Sequence, residues 1–282
     1  MLTAPALVCA AAIATQSATA QVTVSVPVSA PVSRAADCTG ASNAPGEVAS
    51  VVDGKSMRLI DGREVRLAAL ETPPVATGGE SDAGMAAKAA LESLVLDRPI
   101  ILRTAAPAAD RYGRVIAYAF IATPSGEALV QRDMLAGGHA LLSPFGVAAA
   151  CRALLRAAER AARAGKLGLW GDSYYAVKRA DNPADVLGEQ GRFAVVGGKV
   201  ASVRESGGIV YVNFGQRWSE DFTVTILKRN ERLFTGAGMA PGKLAGRQVE
   251  VRGWVEERNG PAIEVVRPEQ IEFVDKEPTN KR

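Results

Sequence analysis

Val51-Val52-Asp53-Gly54-Lys55-Ser56, followed by Val65-Arg66-Leu67-Ala68-Ala69-Leu70-Glu71-Thr72-Pro73, decides the fold of this chain. Apolar and polar residues alternate on both sides of Asp53-Gly54, and Asp61-Gly62 supplies a tight-turn pair. Glu47–Val52, Ser56–Ile60 and Glu64–Leu67 therefore read as three short strands. Further along, Asp110-Arg111-Tyr112-Gly113-Arg114 opens another strand, Val115–Ile121. The two segments bring two arginines and a carboxylate to strand ends. That is equipment for gripping a phosphodiester, because a guanidinium holds phosphate oxygens two at a time.

Working outward, Ser81 or Asp82 can cap a helix running to about Leu96, with Leu91, Leu94 and Val95 on its buried face. Ile100–Arg103 is a further strand. Helices follow over Ala128–Ala136 and Ala148–Arg163, the second stopped by Gly165. Three strands, a helix, two strands and then helices is the element order of a five-stranded OB-type barrel. A second β region begins at Arg192, with strands at Phe193–Val203, Ile209–Phe214, Phe222–Leu227, Gln248–Glu256 and Ile263–Phe273, and a short helix near Arg232–Gly238. The expected fold is mainly β with helices (α+β), two tandem OB-fold five-stranded barrels. The expected boundaries are 46–172 for the first barrel, 173–191 for a linker rich in Asp, Asn, Pro and Gly, 192–275 for the second, and 276–282 for a charged, disordered tail.

Residues 1–20 are apolar and Ala-rich, and Ala18-Thr19-Ala20 suits a small-residue cleavage site, so a signal peptide is expected there despite the absence of Lys or Arg at its start. Residues 21–45, rich in Val, Ser, Pro and Ala, read as an extended arm. Export would make the protein periplasmic or secreted. Of three cysteines, Cys9 falls within the leader. In an oxidising compartment the remaining two, Cys38 and Cys151, suggest a disulfide tying the arm to a helix start, the alternative being two free thiols. His139 is the only histidine and there is no Cys-x-x-Cys spacing, so a zinc site is not expected. Hydrophobic residues make up 48% and aromatics 5%, which points to an aliphatic core. Net charge is +3, with 15 Lys+Arg against 14 Asp+Glu over residues 47–172, so charge alone makes no case for nucleic acid.

The run from Val51 to Trp170 resembles the thermonuclease family, the staphylococcal nuclease-like OB barrels. The pieces that carry the resemblance are Val51-Val52-Asp53-Gly54-x-Ser56, Val65-Arg66-Leu67-x-x-Leu70-Glu71-Thr72-Pro73, Asp110-Arg111-Tyr112-Gly113-Arg114-x-x-Ala117-Tyr118, Glu127-Ala128-Leu129-Val130 and Gly165-Lys166-Leu167-Gly168-Leu169-Trp170, in that order. Members cut DNA and RNA with calcium, using two metal carboxylates, a glutamate that activates water and two arginines on the phosphate. The resemblance implies that Arg66 and Arg114 are those arginines, that Glu71 is one metal carboxylate, and that Asp53 stands in the first motif as a possible second ligand. The other metal carboxylate should stand where this chain has Lys55, and the water-activating glutamate where it has Pro74.

Those two departures bear directly on the chemistry. Calcium binds through several oxygens, with carboxylates neutralising it. Lys55 reverses the sign of the charge there, and a cation 4 Å away at an effective dielectric of about 20 opposes a divalent ion by several kcal/mol. Pro74 accepts no proton, and loss of a general base removes about 10²–10⁴ in rate. Glu80 or Asp82 could replace it. The expected function is an exported thermonuclease-like protein that binds phosphodiester or nucleic acid weakly through Arg66, Arg114 and Lys55, with calcium chemistry lost and no cofactor. Calcium at Glu71 and Asp53 is expected only if the protein is active. The competing expectations are a working phosphodiesterase with altered ligands, and an envelope interaction module whose protein partner meets the second barrel. In the bland alternative, Arg66 pairs with Glu71 or Asp53 in a rim network and Arg114 is a surface turn residue.

Other features divide similarly. Arg152, Arg156 and Arg160, spaced by four, line one helix face, as a nucleic-acid rail or, more simply with Glu159 alongside, as a solvated face. Trp170 is expected to plug the barrel. Tyr211, Phe214, Trp218 and Phe222 could stack bases or fill a core.

Overall fold

The computed structural model describes residues 43–75, 82–124, 126–145, 147 and 149–274, together with Met1 and Cys38. The expected signal peptide, nearly all of the arm, Glu80, Ser81 and the 276–282 tail lie outside the described residues.

The first sheet is built from β1 (Asn43–Asp53), β2 (Ser56–Leu59), β3 (Glu64–Leu67), β5 (Pro99–Ala109), β6 (Val115–Thr123) and β7 (Gly126–Leu129), in the order β3-β2-β1-β5-β6-β7. A parallel pairing of β3 with β6, matching Arg66 to Ile116, closes the first five into a barrel. Alternation explains the barrel: along β3 Val65 and Leu67 are buried while Glu64 is exposed. Its interior face carries Met57, Val65, Leu67 and Leu102, while Tyr118 and Phe120 are buried on the opposite face of β6. Each fully buried Leu or Phe contributes about 1.5–3 kcal/mol relative to exposure. Helix α1 (Asp82–Val95) lays Ala87, Leu91 and Val95, spaced by four, against this core, while Leu94 is only half-buried. Two short strands, β4 (Leu70–Glu71) and β8 (Leu141–Leu142), pair with each other, and α2 (Val130–Ala136) packs on α3 (Ala149–Ala164).

The stretch expected as a bare linker carries structure. It contains β9 (Lys178–Arg179) and α4 (Pro183–Leu187), and β9 joins the next sheet beside the strand β10 (Phe193–Lys199). Lys178 is buried there, 3.0 Å from Glu189 and 3.5 Å from Asp185. The second sheet comprises β9, β10 (Phe193–Lys199), β11 (Ser202–Ser206), β12 (Ile209–Asn213), β13 (Thr223–Leu227), β14 (Gln248–Glu257), β15 (Pro261–Glu264) and β16 (Ile271–Phe273), with α5 (Glu231–Gly236) inserted after β13. Its path runs β11-β12-β13-β15-β14-β10-β9, with β13 and β15 parallel and β16 on β14. The expected long first and last strands are each broken in two. Among the described pairings none joins β10 to β11, so the region is described as this path rather than as a closed second barrel. Phe214 and Phe222 stack in its interior at 5.0 Å, which settles those two aromatics as core, while Trp218 is exposed.

Two expectations are corrected where the β regions meet. The α3 arginines are not a rail, and of them only Arg160 keeps most of its side chain in solvent. Arg152 pairs with Glu269 at 2.7 Å, Arg156 and Arg160 approach Glu272 at 3.5 and 3.7 Å, and Arg163 holds Glu250 with two hydrogen bonds of 2.8 and 2.9 Å. At the centre Arg252 and Glu159, both buried, pair at 2.9 Å, and Glu159 also accepts the Leu142 N–H. The helical period was legible, but the partners lie far along the chain, out of reach of local spacing. Trp170 does not plug the barrel either. It joins Leu141, Ala162, Leu169 and Val195 in a separate apolar cluster between α3 and β10, with the Arg163 guanidinium over its ring. The Cys38–Cys151 disulfide is formed and buried at the start of α3. Among the described residues no helix is long and apolar enough to cross a membrane.

Candidate phosphate and metal site

The Asp53-Gly54 turn between β1 and β2 sits so close to α1 that a Cβ on Gly54 would lie 2.6 Å from the Ala87 Cβ and 3.1 Å from Thr72. The turn is fixed from within by Asp53 Oδ1, which accepts the Lys55 N–H at 2.9 Å, and from outside by the Lys55 carbonyl, which accepts the Leu67 N–H at 2.7 Å. Lys55 is thereby held beside the end of β3. After β3 the chain reverses through Ala69, a non-glycine residue at φ 65°, in the left-handed region that an alanine adopts only at a cost. The Ala69 N–H donates to the Phe145 carbonyl at 3.1 Å, and its own carbonyl accepts the Ser143 N–H at 2.9 Å, which holds the turn. The reversal brings Glu71 back against β3.

Glu71 is buried, and each of its oxygens is taken by a different cation. The Lys55 ammonium donates to Oε2, and Arg66 Nη2 donates to Oε1 at 2.5 Å. A carboxylate buried between two cations is a compensated charge, and the protein supplies both cations itself. Asp53 turns its Oδ1 to the Lys55 N–H. Pro74 is exposed where a water-activating side chain would be needed. Asp82 begins α1, and the close approach of Gly84 to the Pro74 carbonyl packs the start of that helix on the same loop.

Arg114 lies one residue before β6. Since Arg66 is opposite Ile116, strand alternation places Arg114 on the same face as Arg66, two positions along the neighbouring strand. Its own partner is Asp110, through Nε at 2.8 Å and Nη2 at 2.7 Å, and the Asp110 carboxylate also accepts the backbone N–H groups of Tyr112 and Arg114. Burial by itself would raise the Asp110 carboxyl; the Arg114 hydrogen bond and the two backbone donors outweigh it and leave Asp110 below its ordinary value. Arg111 and Arg114 both lie against the Tyr112 ring. His139, half-buried, is held below its ordinary pKa by desolvation and stays neutral at pH 7.

A calcium ion requires oxygens with charge to spare. Both Glu71 oxygens already accept N–H donors, an ammonium occupies the near side, and among the described residues no group of three His, Cys, Asp or Glu is close enough to hold a metal ion. The residues present do not fit calcium.

Of the residues singled out in the sequence, Lys55, Arg66 and Glu71 are thus in one cluster, Asp53 braces it, and Arg114 shares the face but not the ion pair. Sequence reasoning missed Asp110 as the partner of Arg114. It also missed an open cleft of about 900 Å³ that runs from Lys55 and Glu71 to Tyr174, Arg192, Phe193 and Trp254. The local signal for Asp110 was its place in a tight turn before an arginine; nothing local marks the cleft.

Residues 64–172 match the family model described as Staphylococcal nuclease homologue. With the closed barrel described above, that stretch is a staphylococcal nuclease-like domain. No curated protein matches the chain.

Proposed function

We propose that this chain, which carries a staphylococcal nuclease-like domain, is an exported protein that binds phosphodiester or nucleic acid weakly at the barrel rim and does not perform calcium-dependent cleavage. The observation that carries this is the Glu71 carboxylate held between Lys55 and Arg66. An internal ammonium stands where the metal's charge is needed, so the step that polarises a phosphate and activates water has no ion and, at Pro74, no base. What is left is anion recognition. Arg66 spends one nitrogen on Glu71, and Arg114 spends one edge on Asp110; their remaining N–H groups are partly exposed on one face. Each cation already has a carboxylate, so a phosphate must compete for it. Binding is therefore weak and falls steeply with salt. The buried disulfide supports an oxidising, periplasmic or extracellular location.

The test is binding of a fluorescently labelled single-stranded oligonucleotide at low and high salt. Arg66→Ala and Arg114→Ala each weaken it at low salt; a double variant that binds like the wild type rejects the proposal.

A further inference from the structure

We propose that Trp254 and Arg192 form a base-stacking subsite on the far wall of the cleft, so that a single-stranded nucleic acid gripped at the rim lays a base against the second β region; this rests on the phosphodiester proposal above. Along β14, Glu250, Arg252 and Trp254 share the outward face. The first two are covered by α3 through Arg163 and Glu159. Trp254 is 48% exposed, a large indole on the outer face of a strand, with the ring of Phe193 edge-on to it at 6.3 Å. Arg192 is tied to the same place, its carbonyl accepting the Val255 N–H at 2.9 Å. Its guanidinium lies 5.1 Å from the centre of the Tyr174 ring, and among the described residues no carboxylate pairs with it. An aromatic face orients that cation without neutralising it. Trp254 and Arg192 both line the cleft, so a flat indole and a guanidinium set on an aromatic ring offer it one surface for a base and one donor set for a neighbouring phosphate.

The occupant follows from charge and from what lies across the cleft. Glu71 and Glu189 are neutralised by Lys55 with Arg66 and by Lys178, and Asp172 accepts the Tyr174 N–H. Asp53 and Asp82 keep the floor from being basic. The floor therefore does not draw in phosphate, and the preference for a strand with bases comes from stacking on Trp254. Bases in a duplex are already stacked, so the subsite favours single strands.

Two probes separate the wall from the rim: a labelled oligothymidylate and an abasic oligonucleotide of the same length, which keeps the phosphates and lacks the bases. The wild type should bind the oligothymidylate about tenfold more tightly than the abasic strand, a typical worth for one aromatic stack. Trp254→Ala should erase that difference and leave abasic binding unchanged, and Trp254→Phe should restore most of it. Arg66→Ala with Arg114→Ala should lower affinity for both probes alike. Unchanged preference in Trp254→Ala, with binding still sensitive to the rim arginines, overturns the subsite alone. No binding of either probe by the wild type overturns the rim proposal and the subsite with it.

Discussion

Lys55→Asp restores the charge sign that calcium coordination requires, and the structure gives the size of the effect. In the native chain the Lys55 ammonium and the Arg66 guanidinium share the buried Glu71 carboxylate. A unit-charge pair about 4 Å apart is worth about 4 kcal/mol at an effective dielectric of about 20. The substitution removes one such attraction and introduces a repulsion. Arg66 remains to compensate Glu71, and the Lys55 side chain keeps some contact with water, so the expected net loss without metal is about 2–4 kcal/mol. For a chain of this size that lowers Tm by roughly 5–15 °C. The new carboxylate also gives a divalent cation an oxygen beside Glu71. Calcium at about a hundred times its Kd should then return about 2.7 kcal/mol. The assay is thermal unfolding of wild type and variant in EDTA and in excess calcium. Calcium should raise the Tm of the variant and leave that of the wild type unmoved. A wild-type Tm that climbs with calcium as much as the variant's, or a variant as stable as wild type in EDTA, would refute the claim that Lys55 fills the ion's place.

Other outcomes follow from the same geometry. Glu159→Ala strands the buried Arg252 guanidinium and should cost about 3–5 kcal/mol in denaturant unfolding, whereas changing both residues to apolar ones should cost much less than twice that. The disulfide spans 113 residues, so Cys38→Ser with Cys151→Ser should lose about 4–5 kcal/mol on the chain-entropy model, measured as the shift between oxidised wild type and variant. Asp110 and Glu250 both sit below their ordinary carboxyl pKa. For Glu250 burial opposes this and the paired hydrogen bonds from Arg163 overcome it. A carboxyl depressed in the folded state contributes stability that is fully present above its unfolded pKa, near 4, and is lost as pH falls through the depressed native value. Stability should therefore fall below about pH 4, and less steeply in Glu250→Gln; an identical acid limb in that variant would count against the Arg163 pair.

The first barrel was legible because its signals are local. Asp53-Gly54 and Asp61-Gly62 mark turns, β3 alternates cleanly, and the spacing of Leu91 and Val95 gives α1 its buried face. The cluster of Lys55, Arg66 and Glu71 was half legible. The sequence left open whether Arg66 faces a ligand or Glu71, since that depends on the reversal at Ala69, which no turn residue announces. The α3 arginines show the limit most clearly. Their four-residue spacing reads the same whether the stripe meets water or Glu250, Glu269 and Glu272, and only the packing of the second sheet decides it. The cleft was illegible for the same reason: Lys55 and Trp254 meet across it from opposite ends of the chain.

The most direct test is acid-soluble nucleotide release from single-stranded DNA, run with calcium and with EDTA, alongside binding of the same DNA. Retention of the strand with no release in either condition is the outcome expected of a rim that keeps its arginines while a lysine holds the place of the ion. Calcium-dependent release that disappears in EDTA and in Glu71→Ala would contradict it.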